Sequence, residues 1–478
     1  SPIPNPQSPI PIPILNIFIY FISKFIKFIY NIYNKKINLI KMKKIFLAIL
    51  IVLNIFNTIS SKELFEDYYQ EAEEILKNMT IFEKIGQMFI GRYSKDTAIE
   101  QIEKYHIGGF CLFANNLVNH TVEQLNEELA LVQNKSKLLL TYSIDEEGGI
   151  VNRASLYFRD KPFPSPRESY VKGGINEILN IEKEKIALLS KLSFNLNFAP
   201  VADVSQNESD YIYSRTLGEN ASTTSEYINS VVDEYVEENY SCCLKHFPGY
   251  GNNRNTHDDV AHDYRPIDYI KANDLIPFKN AVGHNVPWIM ISHNIYHSID
   301  GEYPASISEK VHELLRNECN FSGIATTDSL SMGAIEKYAV NTSAGALAVK
   351  AGNDIILTSS LEKHINQVIK AYEQKEIDEE TIHMHAKRVI AWKLKYLYKR
   401  EVEPSKPIPS DSSDNLLYIL LGCGIGLLII VIIVLNICYY KHKKKAKEEK
   451  TTENEEEVDN PNENMLVRES RDSSLKTQ

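Results

Sequence analysis

Positive charge is in deficit: 52 Lys and Arg face 63 Asp and Glu, a formal net charge of −11, and no long basic stripe occurs outside the C-terminal tail. That excludes nucleic acid as the main partner. Cysteine is scarce, with six in 478 residues, at positions 111, 242, 243, 319, 423 and 438. Their spacing makes neither a disulfide framework nor a zinc site, so Cys111, Cys242 and Cys243 read as small core residues. No internal repeat is found.

The two ends differ from the middle. Residues 1–41 are mostly Ile, Asn, Phe, Tyr, Lys and Pro without an initiator methionine, and read as non-native upstream sequence; the alternative is a hydrophobic anchor at Ile14–Ile32, although lysines interrupt it. Met42-Lys-Lys, an apolar core and a small-residue site make 42–61 a signal peptide. Near the other end, Glu401–Asp414 is a Pro/Ser-rich stalk, within residues 400–415. The uncharged run over 416–438 is long enough to span a bilayer, and Lys441–Lys447 marks its cytosolic side. The expectation is a single-pass type I membrane protein with its body (62–399) extracellular or luminal and a disordered cytosolic tail (439–478). Asn-x-Ser/Thr sequons at Asn78, Asn119, Asn207, Asn220 and Asn341 suit a glycosylated luminal chain but carry little weight in so Asn-rich a sequence.

Within the body, eight short apolar runs are spaced by helical patterns: Gln87–Ile90, Gly109–Phe113, Leu138–Ile144, Phe194–Ala199, Cys242–Lys245, Trp288–Ser292, Gly323–Thr327 and Asp354–Leu357. Helices are expected at Val122–Val132, Ile175–Leu192, Ser225–Glu238, Ile270–Ala281, Glu309–Glu318 and Ser343–Lys350, and Thr80–Glu83 reads as a capping box. Non-alternating strands between helices indicate a parallel sheet covered by helices. The fold class is therefore α/β, a (β/α)₈ TIM barrel, with an open doubly wound sheet as the alternative.

Barrel enzymes work at the rim where strands end. There the sequence places Asp145 and Arg153 after strand three, Asp203 and Arg215 after strand four, Lys245 and His246 at the end of strand five, His293 after strand six and Asp328 after strand seven. A Gly-rich loop following Lys245-His246 carries His257. Each residue alone has a structural reading: Asp328 as a helix cap, Asp145 as a turn acid, Asp203 as a buried hydrogen-bond acceptor. Together they have no packing purpose. Hydroxyl-binding groups beside carboxylates suit a sugar and an oxocarbenium-like transition state. Asp328 is the natural nucleophile. No glutamate stands out as its partner, so His257, titrating near neutrality, is the candidate proton donor.

The segments Ile75–Met88, Gly108–Phe113, Ile144–Gly149, Asn197–Val204, Lys245–Gly251 and Thr327–Met332, in this order, resemble glycoside hydrolase family 3, specifically its β-N-acetylhexosaminidase branch, over Leu64–Lys399. The resemblance implies a (β/α)₈ barrel that removes terminal β-linked N-acetylhexosamine with retention, without metal or cofactor. It implies Asp328 as the nucleophile, His257 as acid/base, Asp145, Arg215, Lys245 and His246 as holders of sugar hydroxyls, and Asp203 as a further pocket-side acid. The second domain of the glucosidase relatives has no counterpart between barrel and stalk. One position departs: Asn255 stands where the branch carries an Asp two residues before the loop histidine. Two further readings follow, a glycan-binding receptor with weakened turnover and a phosphorylase. The oligomeric state is not legible.

Overall fold

The computed structural model describes residues 63–398, apart from 254, 257–259 and 339–342. The expected upstream, signal, stalk, transmembrane and tail segments lie outside the described residues. Among the described residues no helix is long and apolar enough to cross a membrane.

Two helices precede the first strand, α1 (Glu66–Leu76) and α2 (Ile81–Gln87). Thr80 and Glu83 form the expected capping box at α2. Ten strands follow in chain order: β1 (Phe89–Arg92), β2 (Gly109–Leu112), β3 (Thr141–Ile144), β4 (Leu196–Asn197), β5 (Ser241–Phe247), β6 (His262–Asp263), β7 (Trp288–Ile291), β8 (Ile295–Tyr296), β9 (Ile324–Thr327) and β10 (Ile356–Thr358). Eight of them form one parallel sheet in the order β10-β1-β2-β3-β4-β5-β7-β9, each overlapping one of the eight expected runs. The remaining pair, β6 and β8, forms a separate two-stranded ribbon.

The sheet curls into a nearly closed barrel. Between β9 and the residues entering β10, the Thr327 amide donates to Ile355 O (3.2 Å) and the Ile355 amide to Ala325 O (3.1 Å), with one isolated bridge at Thr326–Ile355. This is the (β/α)₈ arrangement.

The strands are apolar on both faces because both faces are covered. Ile90, Cys111, Leu196, Cys243, Trp288, Met290, Ile324 and Leu357 pack in one cluster with α1 and α14 (Glu379–Tyr396), filling the barrel interior. Their neighbours Phe89, Phe110, Ile144, Cys242, Leu244, Ile289 and Ala325 belong to the other cluster, against helices such as α4 (Val122–Gln133) and α7 (Ala221–Glu237). This period of two decides the site, since whatever follows an inward residue by two positions also faces inward. The cysteines at 111, 242 and 243 are buried free thiols, as expected.

Two helices differ from expectation. The third-to-fourth strand connection is α6 (Pro166–Lys191), longer than the expected Ile175–Leu192 because the helix resumes across a break at Gly173–Gly174. The expected Ile270–Ala281 is split into α8 (Ile267–Ala272) and α9 (Leu275–Gly283) around Asn273.

The chain ends of the barrel meet on the face opposite the strand C-termini. The Leu64 amide donates to Ser322 Oγ just before β9, and the Leu139 amide donates to Tyr398 Oη just before β3. Glu73 on α1 accepts from His383 Nε2 (3.0 Å) on α14.

Candidate active site

Three inward positions reach the C-terminal rim. Lys245 lies two beyond inward Cys243, Asp145 two beyond Ser143, and Asp328 four beyond Ile324, just past the end of β9. Strand periodicity therefore converts core residues into a ring of charge at one end of the lumen.

Lys245 is the centre of that ring. Its Nζ stands 2.7 Å from Asp145 Oδ1 and 2.7 Å from Glu147 Oε1. Glu147, with a 3% exposed side chain, also takes a two-pronged contact from Arg215: Nε to Oε2 at 2.9 Å and Nη2 to Oε1 at 2.7 Å. Burial pushes the Glu147 carboxyl up, but the charges of Arg215 and Lys245 outweigh it and hold the group far below the usual carboxylate range. Burial likewise disfavours the Lys245 charge, yet Asp145 and Glu147 keep its ammonium above its ordinary value.

The next side chain is His246. Its Nδ1 lies 2.7 Å from Asp203 Oδ2, so Nδ1–H donates to the carboxylate and Nε2 is left as an acceptor, 3.4 Å from Arg215 Nη2. Asp203 is fully buried and also accepts from the amides of His246 and Tyr250, the latter at 2.7 Å. The acceptor reading of Asp203 and its pocket-side position thus coincide. The Lys245–His246 peptide is cis.

Neighbouring elements hold this cluster rigidly. The acid between the two site carboxylates, Glu146, faces away and accepts from the Arg153 (2.8 Å) and Ala154 (2.6 Å) amides, fixing the loop after β3. The Arg153 guanidinium itself bonds Asn152 O (2.9 Å), and its charge reaches Cys111 together with those of Asp145 and Lys245. Beneath the loop, the buried Lys185 of α6 donates to Glu147 O (2.7 Å) and to Glu182 (2.7 Å), which in turn accepts from Tyr235 Oη.

On the far side of the lumen, the Asp328 amide donates to Ile291 O (3.0 Å), and Asp328 Oδ1 accepts from the Ser329 amide (2.7 Å). The residue is partly exposed, and its charge reaches both Cys243 and Tyr250. His293 is buried, with Nδ1 2.7 Å from Ser306 Oγ and Nε2 2.9 Å from Ser329 O. Through Ser329 O it is tied to the turn beside Asp328.

The loop after β5 is pinned as far as it is described. Asn253 Nδ2 donates to Tyr250 O (2.8 Å) and to Asp263 Oδ2 (2.7 Å). Arg265 bridges Asp263 and Asp274. Sharing one guanidinium between two carboxylates leaves Asp274 pushed up to about 7 by burial, against the pull of Arg265. Gly249 (φ 126°) and Gly251 (φ 59°) let the backbone lie on this clamp; a Cβ at Gly249 would be 2.4 Å from Asp274 Cβ, and one at Gly251 2.3 Å from Arg265 Cζ. Thr256 is buried, its amide donating to Tyr250 Oη (2.9 Å) and its carbonyl accepting from the Ala334 amide (3.3 Å). His257, the next residue, lies outside the described residues.

The structure therefore brings Asp145, Asp203, Arg215, Lys245 and His246 into one bonded network, with Asp328 across the lumen. Sequence reasoning missed Glu147. Its signal was present, since it shares the inward parity of Asp145. Among the described residues, no group of three or more His, Cys, Asp or Glu is arranged to hold a metal ion.

A family model described as "Glycosyl hydrolase family 3 N terminal domain" matches residues 80–392. The chain is 28% identical over 329 residues to beta-hexosaminidase A of Pseudoalteromonas piscicida, an alignment covering 62% of this chain and 54% of that protein. It thus spans about half the length of that relative. It is 30% identical over 283 residues to a beta-hexosaminidase of Idiomarina loihiensis, covering 55% of this chain and 80% of the relative. Among solved structures, a glycoside hydrolase family 3 β-N-acetylglucosaminidase from Paenibacillus sp. str. FPU-7 superposes with a TM-score of 0.63 at 25% identity, covering 71% of this chain and 67% of that one.

Proposed function

The chain belongs to glycosyl hydrolase family 3, and on that premise we propose that it is a retaining β-N-acetylhexosaminidase that releases terminal β-linked N-acetylglucosamine. The observation that carries this reading is the placement of Asp328 at an inward strand end, facing the Asp145–Lys245–Glu147–Arg215 cluster across one lumen.

In this reading the sugar's hydroxyls bond to Asp145, Lys245, Arg215 and Nε2 of His246. The Asp328 carboxylate attacks the anomeric carbon as the glycosidic C–O bond breaks, and His257 gives its proton to the departing oxygen. Water then attacks the glycosyl–Asp328 ester; the neutral histidine takes its proton, and Asp328 leaves as carboxylate. The fixed anchor of Thr256 on Tyr250 and Ala334, next to the segment bearing Asp328, supports His257 in this role. Asn255 supplies no charge to stabilise the imidazolium, which is the ground for expecting a carboxylate at this position to raise turnover.

Release of aryl alcohol from an aryl N-acetyl-β-glucosaminide by the purified protein tests the reading. Activity is expected, lost in Asp328→Ala and raised in Asn255→Asp. Binding of N-acetylglucosamine without hydrolysis in the wild type would instead make the protein a glycan receptor, and a rate that depends on added phosphate would make it a phosphorylase. The uncharged run over 416–438 and the basic stretch after it support a type I membrane anchor with the barrel outside the cytosol. Protection of the barrel, but not the tail, from protease in sealed vesicles is the expected outcome.

A further inference from the structure

Outside the described ionic cluster, the loop after β4 places one ring at the rim that the proposed reaction does not use. Tyr211 is 42% exposed, and its ring centroid lies 5.9 Å from that of buried Tyr250, tilted by 38°. Tyr250 in turn meets His246 edge-to-face at 5.6 Å and lies within reach of the Asp328 charge. A solitary exposed tyrosine is ordinary surface. This one is the outermost of a file of rings leading from the sugar-binding histidine to solvent.

The turn that presents Tyr211 is held on both sides. Ser205 Oγ donates to Asp210 Oδ2 (2.8 Å), and the Tyr213 amide donates to Asp210 O (3.1 Å). The Arg167 guanidinium covers the Tyr213 ring at 4.3 Å, and Arg215, two residues further, is tied to Glu147. Tyr211 is thus preorganised relative to the pocket instead of being free to fold onto the surface.

Resting on the hexosaminidase reading, we propose that Tyr211 forms a second sugar-binding position at the pocket mouth, which takes the leaving-group residue of a β-linked N-acetylglucosamine oligosaccharide. A β-linked N-acetylglucosamine carries its substituents equatorially, so its two faces are patches of C–H bonds. Such a face suits an aromatic ring, whose π face is negative. A sugar departing from the bond broken beside Asp328 leaves toward the rim, where the half-exposed Tyr211 ring meets it. The natural substrate is then an oligosaccharide, and not a glycoside with a small or purely polar aglycone.

The test compares kcat/KM of the full chain on two substrates. One is N-acetyl-β-glucosaminyl fluoride, whose one-atom leaving group cannot reach Tyr211; the other is the β-1,4-linked trisaccharide of N-acetylglucosamine. Tyr211→Ala is expected to lower kcat/KM on the trisaccharide about three- to tenfold while leaving the fluoride unchanged, and Tyr211→Phe and Tyr211→Trp are expected to restore it. An equal fall on both substrates, no fall on the trisaccharide, or a Phe variant no better than the Ala variant would overturn the assignment while leaving the hexosaminidase reading intact. If the wild type cleaves neither substrate, that reading itself falls, and the second position with it.

Discussion

Lys245 Nζ and Glu147 Oε1 lie 2.7 Å apart with 3% of each side chain exposed, so the charge that holds the pocket together is itself withdrawn from water. Removing Glu147 takes from the part-buried Arg215 guanidinium the carboxylate it grips and leaves Lys245 to Asp145. Glu147→Gln is expected to cost about 3–5 kcal/mol in chemical denaturation, with activity abolished. The sign with pH is also fixed. The folded carboxyl titrates below its unfolded value, so its contribution is present above the unfolded value of 4.5 and is lost as pH falls through the folded one. The wild type should therefore lose stability on acidification below about pH 4.5 more steeply than Glu147→Gln does.

Asp203 fixes which nitrogen of His246 carries the proton. Asp203→Asn keeps the shape but can present an N–H to Nδ1, moving the proton to Nε2, where it faces Arg215. By analogy with carboxylate-supported histidines elsewhere, kcat/KM on an aryl N-acetyl-β-glucosaminide should fall about ten- to a hundredfold. The melting temperature should change less than in Glu147→Gln.

Gly249 has no room for a side chain and sits at φ 126°. Gly249→Ala should cost about 1–3 kcal/mol through overpacking against Asp274, together with a loss of turnover, since the loop it starts carries His257. Thermal denaturation and kcat measured together check this; a stable, fully active variant would show that the loop tolerates displacement.

At the other end of the barrel, Lys393 is buried and, among the described residues, bonded to two neutral acceptors, Gln87 Oε1 and Gly108 O, both at 2.8 Å. Burial lowers its ammonium to about 7. A depressed folded value gives stability that is present above the unfolded value of 10.5 and lost as pH falls through about 7. Wild-type unfolding free energy should therefore rise between about pH 7 and pH 10, and Lys393→Met should remove that rise.

Much of this is legible from local pattern. Cys242–Lys245 reads as a strand because both of its faces are apolar, and its abrupt change to Lys245-His246 marks the end of the core layer. The same logic locates Asp145, Asp203 and Asp328. What stays hidden depends on distant partners. Lys185 and Glu182 sit in the run Ile181-Glu-Lys-Glu-Lys-Ile186, which looks like a solvated helix face, yet both are buried because Glu147 O and Tyr235 Oη meet them from other elements. Helices α8 and α9 run together in the sequence pattern because nothing local marks the break at Asn273; the residue after it, Asp274, is paired with Arg265 from ahead of α8. Glu147 shares the inward parity of Asp145, but the partners that give it a role, Arg215 and Lys245, come from distant segments, while Glu146 turns away to cap its own loop.

The meeting of α1 with α14 bears on how the gene could be rearranged. Leu64 and Tyr398 both bond to residues just ahead of barrel strands, on the face away from Lys245 and Asp328. The two ends of the barrel therefore lie on that one face, where Lys395 of α14 stands over the Phe65 ring just ahead of α1. A circular permutant that joins these ends with a short linker and opens elsewhere on that same face should fold and keep its pocket unobstructed.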